Sequence, residues 1–208
     1  MDYKSQYKQD KYLNENFFNN KKNGVFVDIG AHDGVSISNS YFFEKNLEWN
    51  GICIEPMPEL FKELEKNRDC IKINGCAWEN DTTKTFRLIS GYAEMLSGIL
   101  DTYDERHKER IDLECRIHGG TYEDIEMRCY NVNNLLEKHE LFDIDFMSVD
   151  TEGSEFDIIK NIDFERFNIK IVLVENNYND SKLREFMELK NYKLHDKIMC
   201  DDVYLKIE

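Results

Sequence analysis

The clearest indication of the fold lies at residues 25–34, whose sequence is Val-Phe-Val-Asp-Ile-Gly-Ala-His-Asp-Gly. Four of its first five residues are apolar and three of those are β-branched, which predicts a short strand buried on both faces. Gly30 and Gly34 then bracket a tight turn, and residues 35–46 follow as a predicted helix. Backbone N–H groups and a helix dipole face a ligand at many such junctions, although an ordinary connecting turn has the same pattern. The Gly-x-x-x-Gly spacing differs from the Gly-x-Gly-x-x-Gly fingerprint of dinucleotide-binding proteins.

A second apolar run at residues 51–54 ends in the acid Glu55, which is followed by Pro56. Glu55 lies 21 residues after Gly34 (55 − 34), the separation expected for the acid that ends the second strand of a nucleotide-binding unit. A carboxylate at that position accepts hydrogen bonds from ribose hydroxyls. Pro56 has no N–H to donate, so it ends the strand and leaves Glu55 at the carboxyl edge of the sheet. A glutamate that only meets water is the alternative.

Four segments of the chain resemble the FkbM-type S-adenosylmethionine-dependent methyltransferases. They are VDIGAHDGVSISNS at 27–40, GICIEPMPELFKELEKNR at 51–68, GCAW at 75–78 and FMSVDTEGSEFDIIKNI at 146–162. Many methyltransferases share the first motif, whereas Asp-x-Glu-Gly-x-Glu within the last segment is more specific. The resemblance implies a Rossmann-like class I methyltransferase fold, with S-adenosylmethionine as the methyl donor.

The two strand-end motifs and this resemblance together predict the residues that contact the cofactor. They are Gln6, Asp28, Gly30, Ala31, His32, Gly34, Ser36, Glu55, Pro56, Cys76 and Ala77. In similar methyltransferases the backbone after the third strand lies beside the adenine ring, which assigns that role to Cys76 and Ala77. Similar sequences often carry Asn where this chain has His32, so we expect its side chain to hydrogen-bond near the cofactor. Gln6 is placed there by the resemblance alone, and packing on the surface is its alternative role.

Alternating strand and helix patterns predict one α/β domain over residues 1–208, with a mostly parallel seven-stranded sheet and helices on both faces. The predicted sheet strands are 25–29, 51–55, 71–77, 145–149, 169–174 and a closing antiparallel pair at 192–195 and 203–207. The predicted helices are 35–46, 58–67, one capped by Asn131, 154–162 and one that begins at Asp180 or Ser181 and ends near 190. Residues 1–23 are expected to cover the first strand.

The longest segment without a regular pattern lies at about 90–125, between two predicted half-exposed strands at 83–89 and 124–130. A connection of this length inside a compact domain is usually either functional or disordered. We expect it to cover the substrate, because similar enzymes vary their acceptor specificity there.

Acidic residues follow several of the predicted strands and should meet at one edge of the sheet. Asp150, Glu175 and Asn176 end neighbouring strands and offer three oxygen ligands, which predicts a site for Mg²⁺ or Mn²⁺. Distantly similar metal-dependent sugar O-methyltransferases have acids at these two strand ends. Glu152 and Glu155 lie in the turn after the fourth strand, where Glu152 is the candidate general base. The catalytic candidates are therefore Asp150, Glu152 and Glu155. For Glu175 and Asn176, binding only to backbone or water is the alternative to a metal site.

The composition excludes several classes of partner. The 208 residues carry a net charge of −15, from 42 acidic and 27 basic residues, which disfavours nucleic acid and anionic membranes. No apolar run approaches the roughly 20 residues of a membrane span, and the N-terminus lacks an apolar signal segment. We therefore expect a cytoplasmic protein. The six cysteines have no Cys-x-x-Cys spacing, which predicts reduced thiols rather than a zinc site.

These observations predict an S-adenosylmethionine-dependent O-methyltransferase that modifies a hydroxyl group of a sugar or glycan, with a divalent metal as a further element of the mechanism. The sugar follows from the resemblance and agrees with the acidic surface. Methylation of a small metabolite or peptide is one alternative, and a cofactor-binding module without catalysis is another. No oligomeric state is predicted.

Overall fold

The computed structural model describes residues 2–207, so Met1 and Glu208 at the ends of the predicted domain lie outside it. The strands are β1 (Val25–Ile29), β2 (Asn50–Glu55), β3 (Ile71–Asn74), β4 (Cys76–Trp78), β5 (Thr82–Gly91), β6 (Gly98–Ile99), β7 (Gly120–Asn131), β8 (Asp143–Val149), β9 (Asn168–Glu175), β10 (Tyr192–Ile198) and β11 (Asp201–Lys206). The α-helices are α1 (Gln9–Leu13), α2 (Tyr41–Leu47), α3 (Pro58–Asn67), α4 (Glu105–His118), α5 (Val132–Lys138), α6 (Glu155–Ile159) and α7 (Ser181–Leu189). A π-helical turn spans Asn14–Phe18, and short 3₁₀ turns span Glu94–Leu96 and Leu100–Thr102.

The larger sheet has seven strands in the order β3-β2-β1-β8-β9-β11-β10. Strands β3, β2, β1, β8 and β9 pair in parallel, whereas β11 runs antiparallel to both of its neighbours. The predicted antiparallel closing pair is confirmed, and the sheet is consequently mixed rather than fully parallel. The chain moves outward from β1 to β2 on one side and from β8 to β9 on the other. The carboxyl ends of β1 and β8 therefore form the point where ligands bind in open α/β sheets.

Helices cover both faces of this sheet because side chains alternate between its faces along each strand. Val27 and Ile29 point into a buried layer that includes side chains of α5, α6 and α7. Phe26 points to the opposite layer, which includes side chains of α2 and α3. Leu13 and Phe18 from the N-terminal segment pack into that second layer as well, so this segment lies over the same face.

A second sheet of four strands, in the order β4-β7-β5-β6, was not predicted. The predicted strand 71–77 is broken at Gly75, whose φ is +151° and where a Cβ would lie 2.5 Å from the carbonyl oxygen of Arg128. Residues 76–78 leave the larger sheet there and pair with β7 instead. The predicted strands 83–89 and 124–130 are present as the longer antiparallel pair β5 and β7.

The prediction of a helix over 35–46 is wrong in its first half, because α2 begins only at Tyr41. The carboxylate of Asp33 accepts the backbone N–H groups of Val35 at 2.8 Å and Ser36 at 2.7 Å. Such a local side-chain turn competes with helix formation. Ile37 then adopts a left-handed φ of +53°, which a continuous right-handed helix does not permit. No helix N-terminus therefore follows the glycine turn directly.

The segment 90–125 is more regular than predicted, since it contains α4, β6 and both 3₁₀ turns. Asp104 caps α4 by accepting a hydrogen bond from the backbone N–H of His107 at 2.9 Å. Ile111 lies one turn after His107 on the same face of α4. It belongs to a buried cluster with Ile89 of β5 and with Tyr103. The helix after β8 is shorter than predicted and ends at Ile159.

The cap predicted at Asn131 is confirmed, because its side chain accepts the backbone N–H of Asn134 at 3.1 Å. Asp180 caps α7 in the same way, by accepting the N–H of Lys182 at 2.9 Å. Within residues 2–207, none of the helices combines the length and the hydropathy of a membrane span.

Candidate active site

A pocket of about 710 Å³, partly open to solvent, lies at the carboxyl ends of β1, β2 and β8. We call it the first pocket. Its polar residues include His32, Glu55, Asp150 and Glu152. Its larger apolar side chains come from strands of both sheets and from the segments between strands, and are Ile29, Ile37, Ile54, Met57, Leu60, Phe86, Met95 and Ile99. Mostly apolar walls with a few polar groups are typical of small-molecule sites.

Glu55 is the best-defined polar group of the first pocket. Its side chain is buried, and its two oxygens accept the backbone N–H groups of His32 and Met57, both at 2.8 Å. Burial is the main cause that raises the pKa of Glu55 to about 7, while these two hydrogen bonds act in the opposite direction. A carboxylate has about four acceptor positions, so two are left for the hydroxyl pair of a ribose.

The glycine turn does not offer a set of free backbone donors, in contrast to the sequence-based prediction. The N–H groups of Gly30 and Ala31 both donate to the carbonyl oxygen of Ile54, at 2.9 Å and 3.1 Å. The N–H of Gly34 donates to the carbonyl of Ala31 at 3.0 Å, and that of His32 binds the carboxylate described above. Gly30 lines the first pocket because it lacks a side chain, not because it presents a donor.

Six of the eleven predicted cofactor residues line the first pocket, and five do not. The lining residues are Gly30, His32, Glu55, Pro56, Cys76 and Ala77. The residues outside the lining are Gln6, Asp28, Ala31, Gly34 and Ser36. The break at Gly75 is what carries Cys76 and Ala77 to the pocket wall, on the second sheet rather than on an extension of β3.

The residues outside the lining have other contacts. Asp28 is buried and accepts a hydrogen bond from the hydroxyl of Ser40, which in turn accepts one from Arg68 at 2.9 Å. Burial is the main cause that raises the pKa of Asp28. Gly34 packs so closely that a Cβ would lie 2.6 Å from Leu64. These two positions therefore stabilise the turn from behind the pocket.

Of the other three residues outside the lining, Ala31 is buried, whereas Ser36 and Gln6 are exposed. Ser36 donates its hydroxyl to Asp33 at 2.7 Å. Gln6 lies beside Ser5, and Ser5 forms a parallel bridge with Ile37, a residue of the pocket wall. Gln6 is thus near the rim of the first pocket but not in it.

His32 provides the test of whether this pocket fits a polar cofactor. Both ring nitrogens are buried and make no hydrogen bond within the part of the chain that the structure describes. The Nδ1 atom lies 3.6 Å from Oδ1 of Asp33, beyond hydrogen-bond distance, and a buried polar group without a hydrogen bond is costly, so a ligand with hydrogen-bonding groups suits this position. Together with the carboxylate of Glu55, the residues present fit S-adenosylmethionine.

Three carboxylates meet at one border of the first pocket, where Asp150 and Glu152 line it and Glu175 lies just outside its lining. Asp150, Glu152 and Glu175 each have one oxygen within 4.8 Å of the others. Burial and the repulsion between them raise the pKa of Asp150 well above its usual range, that of Glu152 to about 8 and that of Glu175 to about 9. Arg110 on α4 partly offsets this charge, with its Nη1 atom 3.4 Å from Oε2 of Glu152. The cluster therefore suits a positively charged ligand or a divalent cation.

This cluster differs from the predicted set of metal ligands. The amide of Asn176 is buried and already bound, since it accepts the N–H of Asp180 at 2.8 Å and donates to Asp202 at 2.9 Å. Asn176 follows the end of β9 as predicted, but it does not line the first pocket. Glu152 takes the third place in the cluster instead.

Glu155 does not point into the cluster as a free base. Its carboxylate accepts the backbone N–H groups of Thr151 at 2.9 Å and Gly153 at 3.0 Å. Glu155 therefore fixes the loop that carries Asp150 and Glu152, which is a positioning role.

Several site residues were missed by the sequence analysis. Phe86 and Ile99 line the first pocket through the second sheet, and Arg110 reaches Glu152 from α4. No local pattern connects these residues to β1 or β8. Met57 also lines this pocket, and its place two residues after the predicted Glu55 is a sequence feature that could have indicated this.

These features define an α/β protein with a ligand pocket at the switch point of its sheet, of the kind found in methyltransferases. Residues 28–194, most of the chain, match the family model of the methyltransferase FkbM domain. The chain therefore belongs to the FkbM methyltransferase family, and the resemblance noted in the sequence is confirmed. No curated protein matches the chain.

Proposed function

We propose that the protein transfers a methyl group from S-adenosylmethionine to a hydroxyl group of a sugar or glycan. Membership of the FkbM family supports methyl transfer and the use of this donor. The observation that carries the proposal is the arrangement of the first pocket, which is lined by Glu55 after β2 and by Asp150 and Glu152 of the carboxylate cluster after β8. S-adenosylmethionine supplies an electrophilic methyl group on a positively charged sulfur.

The residues of the pocket have separate roles in this proposal. Glu55 binds the ribose hydroxyls, and His32 hydrogen-bonds a polar group of the cofactor. The carboxyl groups of Asp150 and Glu175, whose raised pKa values keep them protonated in the free protein, ionise when a positively charged group binds beside them and then offset its charge. Glu152, with a pKa of about 8, accepts the proton of the acceptor hydroxyl, since a base near the working pH is the most effective. Correct placement of the two reactants supplies much of the rate enhancement in such a displacement.

A divalent cation is a second proposal for the same cluster, supported by three carboxylate oxygens within 4.8 Å of one another. Asp150, Glu152 and Glu175 would hold Mg²⁺ or Mn²⁺, which lowers the pKa of a coordinated hydroxyl. Glu152 would then be a ligand rather than the base. The net charge of −15 supports a neutral acceptor and not nucleic acid in either case.

Calorimetric titration of wild type with S-adenosylhomocysteine, with and without Mg²⁺ or Mn²⁺, tests both proposals. We expect the product cofactor to bind, and the wild type to release heat with the metal alone if the cation site exists. Asp150→Asn should abolish metal binding while cofactor binding persists. Asp124→Asn, which changes an exposed acid on β7 paired with Arg87, is the matched control. Absence of cofactor binding in wild type would refute the proposed function, and equal metal binding by Asp150→Asn would refute the cation site.

A further inference from the structure

A second pocket of about 760 Å³ lies next to the first, between the start of α4 and the loop that follows β9. Glu152 lines both pockets. The two spaces therefore meet at the residue that we propose as the base or metal ligand. The second pocket has no role in the cofactor contacts described above.

One wall of the second pocket is an aromatic ring held in a fixed position. The side chain of Tyr178 is 42% exposed, and the guanidinium carbon of Arg106 lies 3.9 Å from its ring centroid. Arg106 is itself bound through Nε to Asp104 at 2.9 Å. Because Asp104 also caps α4, the ring, the guanidinium and the start of the helix form one connected unit.

The rest of the lining is apolar at some positions and acidic at others. Phe156 and Leu183 contribute apolar surface, whereas Glu152, Glu155 and Glu175 contribute carboxylates. Carboxylates are strong acceptors for hydroxyl groups. An aromatic ring provides a surface for the C–H groups of an apolar ring face.

The charges of this pocket argue against an anionic ligand. Among the described residues that line it, Arg106 is the one Arg or Lys. Asp104 already neutralises its charge, because Oδ2 of Asp104 lies 2.5 Å from Nη2 and 2.9 Å from Nε of Arg106. A phosphate or carboxylate group would therefore meet several acids and no unpaired cation. A neutral ligand with several hydroxyls satisfies the acceptors without such repulsion.

We infer that the second pocket is the acceptor subsite, and that its ligand is a neutral ring-shaped polyol such as a pyranose, which packs a ring face on Tyr178. Its hydroxyls bind the carboxylates, and one of them reaches Glu152 at the boundary with the first pocket. This inference rests on the proposed function, because it assigns a place and a contact surface to the acceptor. Tyr178 is the residue that determines specificity for a ring.

Saturation-transfer difference NMR on protein loaded with S-adenosylhomocysteine tests the inference directly. The probe is a mixture of the methyl α-pyranosides of glucose, galactose and mannose, with glucose 6-phosphate as the anionic comparison. We expect signals from ring protons of at least one neutral pyranoside and none from the phosphate. Tyr178→Ala should weaken that binding about tenfold, whereas Tyr178→Phe should retain it because the ring surface is kept.

The chain offers a closely matched control in Tyr122 on β7. Its side chain is 49% exposed, and the guanidinium carbon of Arg87 lies 4.2 Å from its ring centroid, yet it lines neither pocket. Tyr122→Ala should leave pyranoside binding unchanged. Calorimetry with S-adenosylhomocysteine on each variant verifies that the first pocket is intact.

The outcomes separate this inference from the proposed function. If wild type fails to bind S-adenosylhomocysteine, the proposed function falls. If it binds the cofactor but gives no pyranoside signal, or a signal from the phosphate alone, only the acceptor subsite is refuted. If Tyr178→Ala and Tyr122→Ala lose pyranoside binding equally, the role of Tyr178 is also overturned, because Tyr122 lines neither pocket.

Discussion

Glu55→Gln should make the free protein more stable above neutral pH and weaken its binding of the cofactor. The carboxyl group has an ordinary pKa of 4.5, which burial raises to about 7 in the folded protein. Between these two values the unfolded chain has lost the proton that the folded protein keeps. The unfolding free energy therefore falls as pH rises from about 4.5 to about 7 and stays lower above that range.

The size of this effect follows from the difference between the two pKa values. One pKa unit corresponds to about 1.4 kcal/mol, so ionising Glu55 costs the folded protein about 3 kcal/mol at about pH 8. Glutamine resembles the protonated acid, since each has one carbonyl oxygen for the two backbone N–H groups of His32 and Met57. The variant and the protonated wild type therefore both leave one of these two N–H groups without a carbonyl acceptor. This cost cancels when their unfolding free energies are compared at low pH. We expect the variant to be more stable by about 3 kcal/mol at about pH 8, and by less than about 1 kcal/mol at about pH 5.

Cofactor binding should change in the opposite direction. Loss of a charged acceptor for the ribose hydroxyls costs about 1.5–3 kcal/mol, which predicts an affinity for S-adenosylhomocysteine that is about 10- to 100-fold lower at about pH 8. In wild type this affinity should decline as pH falls below about 7, because protonation removes the acceptor. The variant should lack that decline.

Urea unfolding of both free proteins at the two pH values, with calorimetry for the cofactor, measures these quantities. The difference between wild type and variant isolates Glu55, because the other acids titrate in both. Glu185→Gln, at an exposed position of α7, is the control for a change of charge alone. A variant that is equally destabilised at both pH values, or that keeps wild-type affinity for the cofactor, would show that Glu55 is not a buried ribose acceptor.

Two further predictions concern the packing behind the pocket. Gly30→Ala should lower the unfolding free energy by about 3 kcal/mol or more in urea titrations, because a Cβ would lie 1.7 Å from the carbonyl oxygen of Asp150. Gly119→Ala, at φ +76° and ψ 153° but with nothing within 4 Å of its Cβ, should cost about 2 kcal/mol from backbone strain alone, and a loss equal to that of Gly30→Ala would contradict the steric argument. Arg68→Met should cost about 3 kcal/mol, because it removes the buried partner of Glu44, now 2.9 Å from Nε, and leaves that carboxylate only Lys45 at 3.1 Å as a cation. The double variant Arg68→Met with Glu44→Gln should recover part of that loss in thermal unfolding, and a purely additive result would exclude a buried ion pair.

The larger sheet could be predicted closely because its central strands are buried on both faces and leave continuous apolar runs. Residues 25–29 form β1 with the predicted bounds, and Pro58 opens α3 as expected. The start of α2 could not be predicted by periodicity, since the turn made by Asp33 replaces the first helical hydrogen bonds. That substitution depends on one side chain, which an apolar pattern does not reveal.

The second sheet shows why part of the site could not be predicted from the sequence. Its existence depends on the break at Gly75, where the close approach of Arg128 selects glycine. Charged residues at 101–112 and the glycines on either side obscure any regular pattern in the segment 90–125. The pattern that mattered was sparse, namely a cap at Asp104 followed by buried His107 and Ile111. Glu55 and Asp150 were predictable because strand ends are visible in sequence, whereas the wall at Phe86 required the tertiary arrangement.

The buried acids at the switch point destabilise the free protein, and the same acids determine which ligands the site selects. Glu55, Glu152 and Glu175 have pKa values of about 7, 8 and 9, so each costs folding free energy as pH rises from its ordinary value to these values. Apolar side chains at the same positions would avoid that cost. A ligand that brings positive charge or several hydroxyl donors recovers it, because it pairs the carboxylates that otherwise repel one another. An apolar or anionic ligand recovers none of it, and the same carboxylates that weaken the free protein therefore discriminate among its ligands.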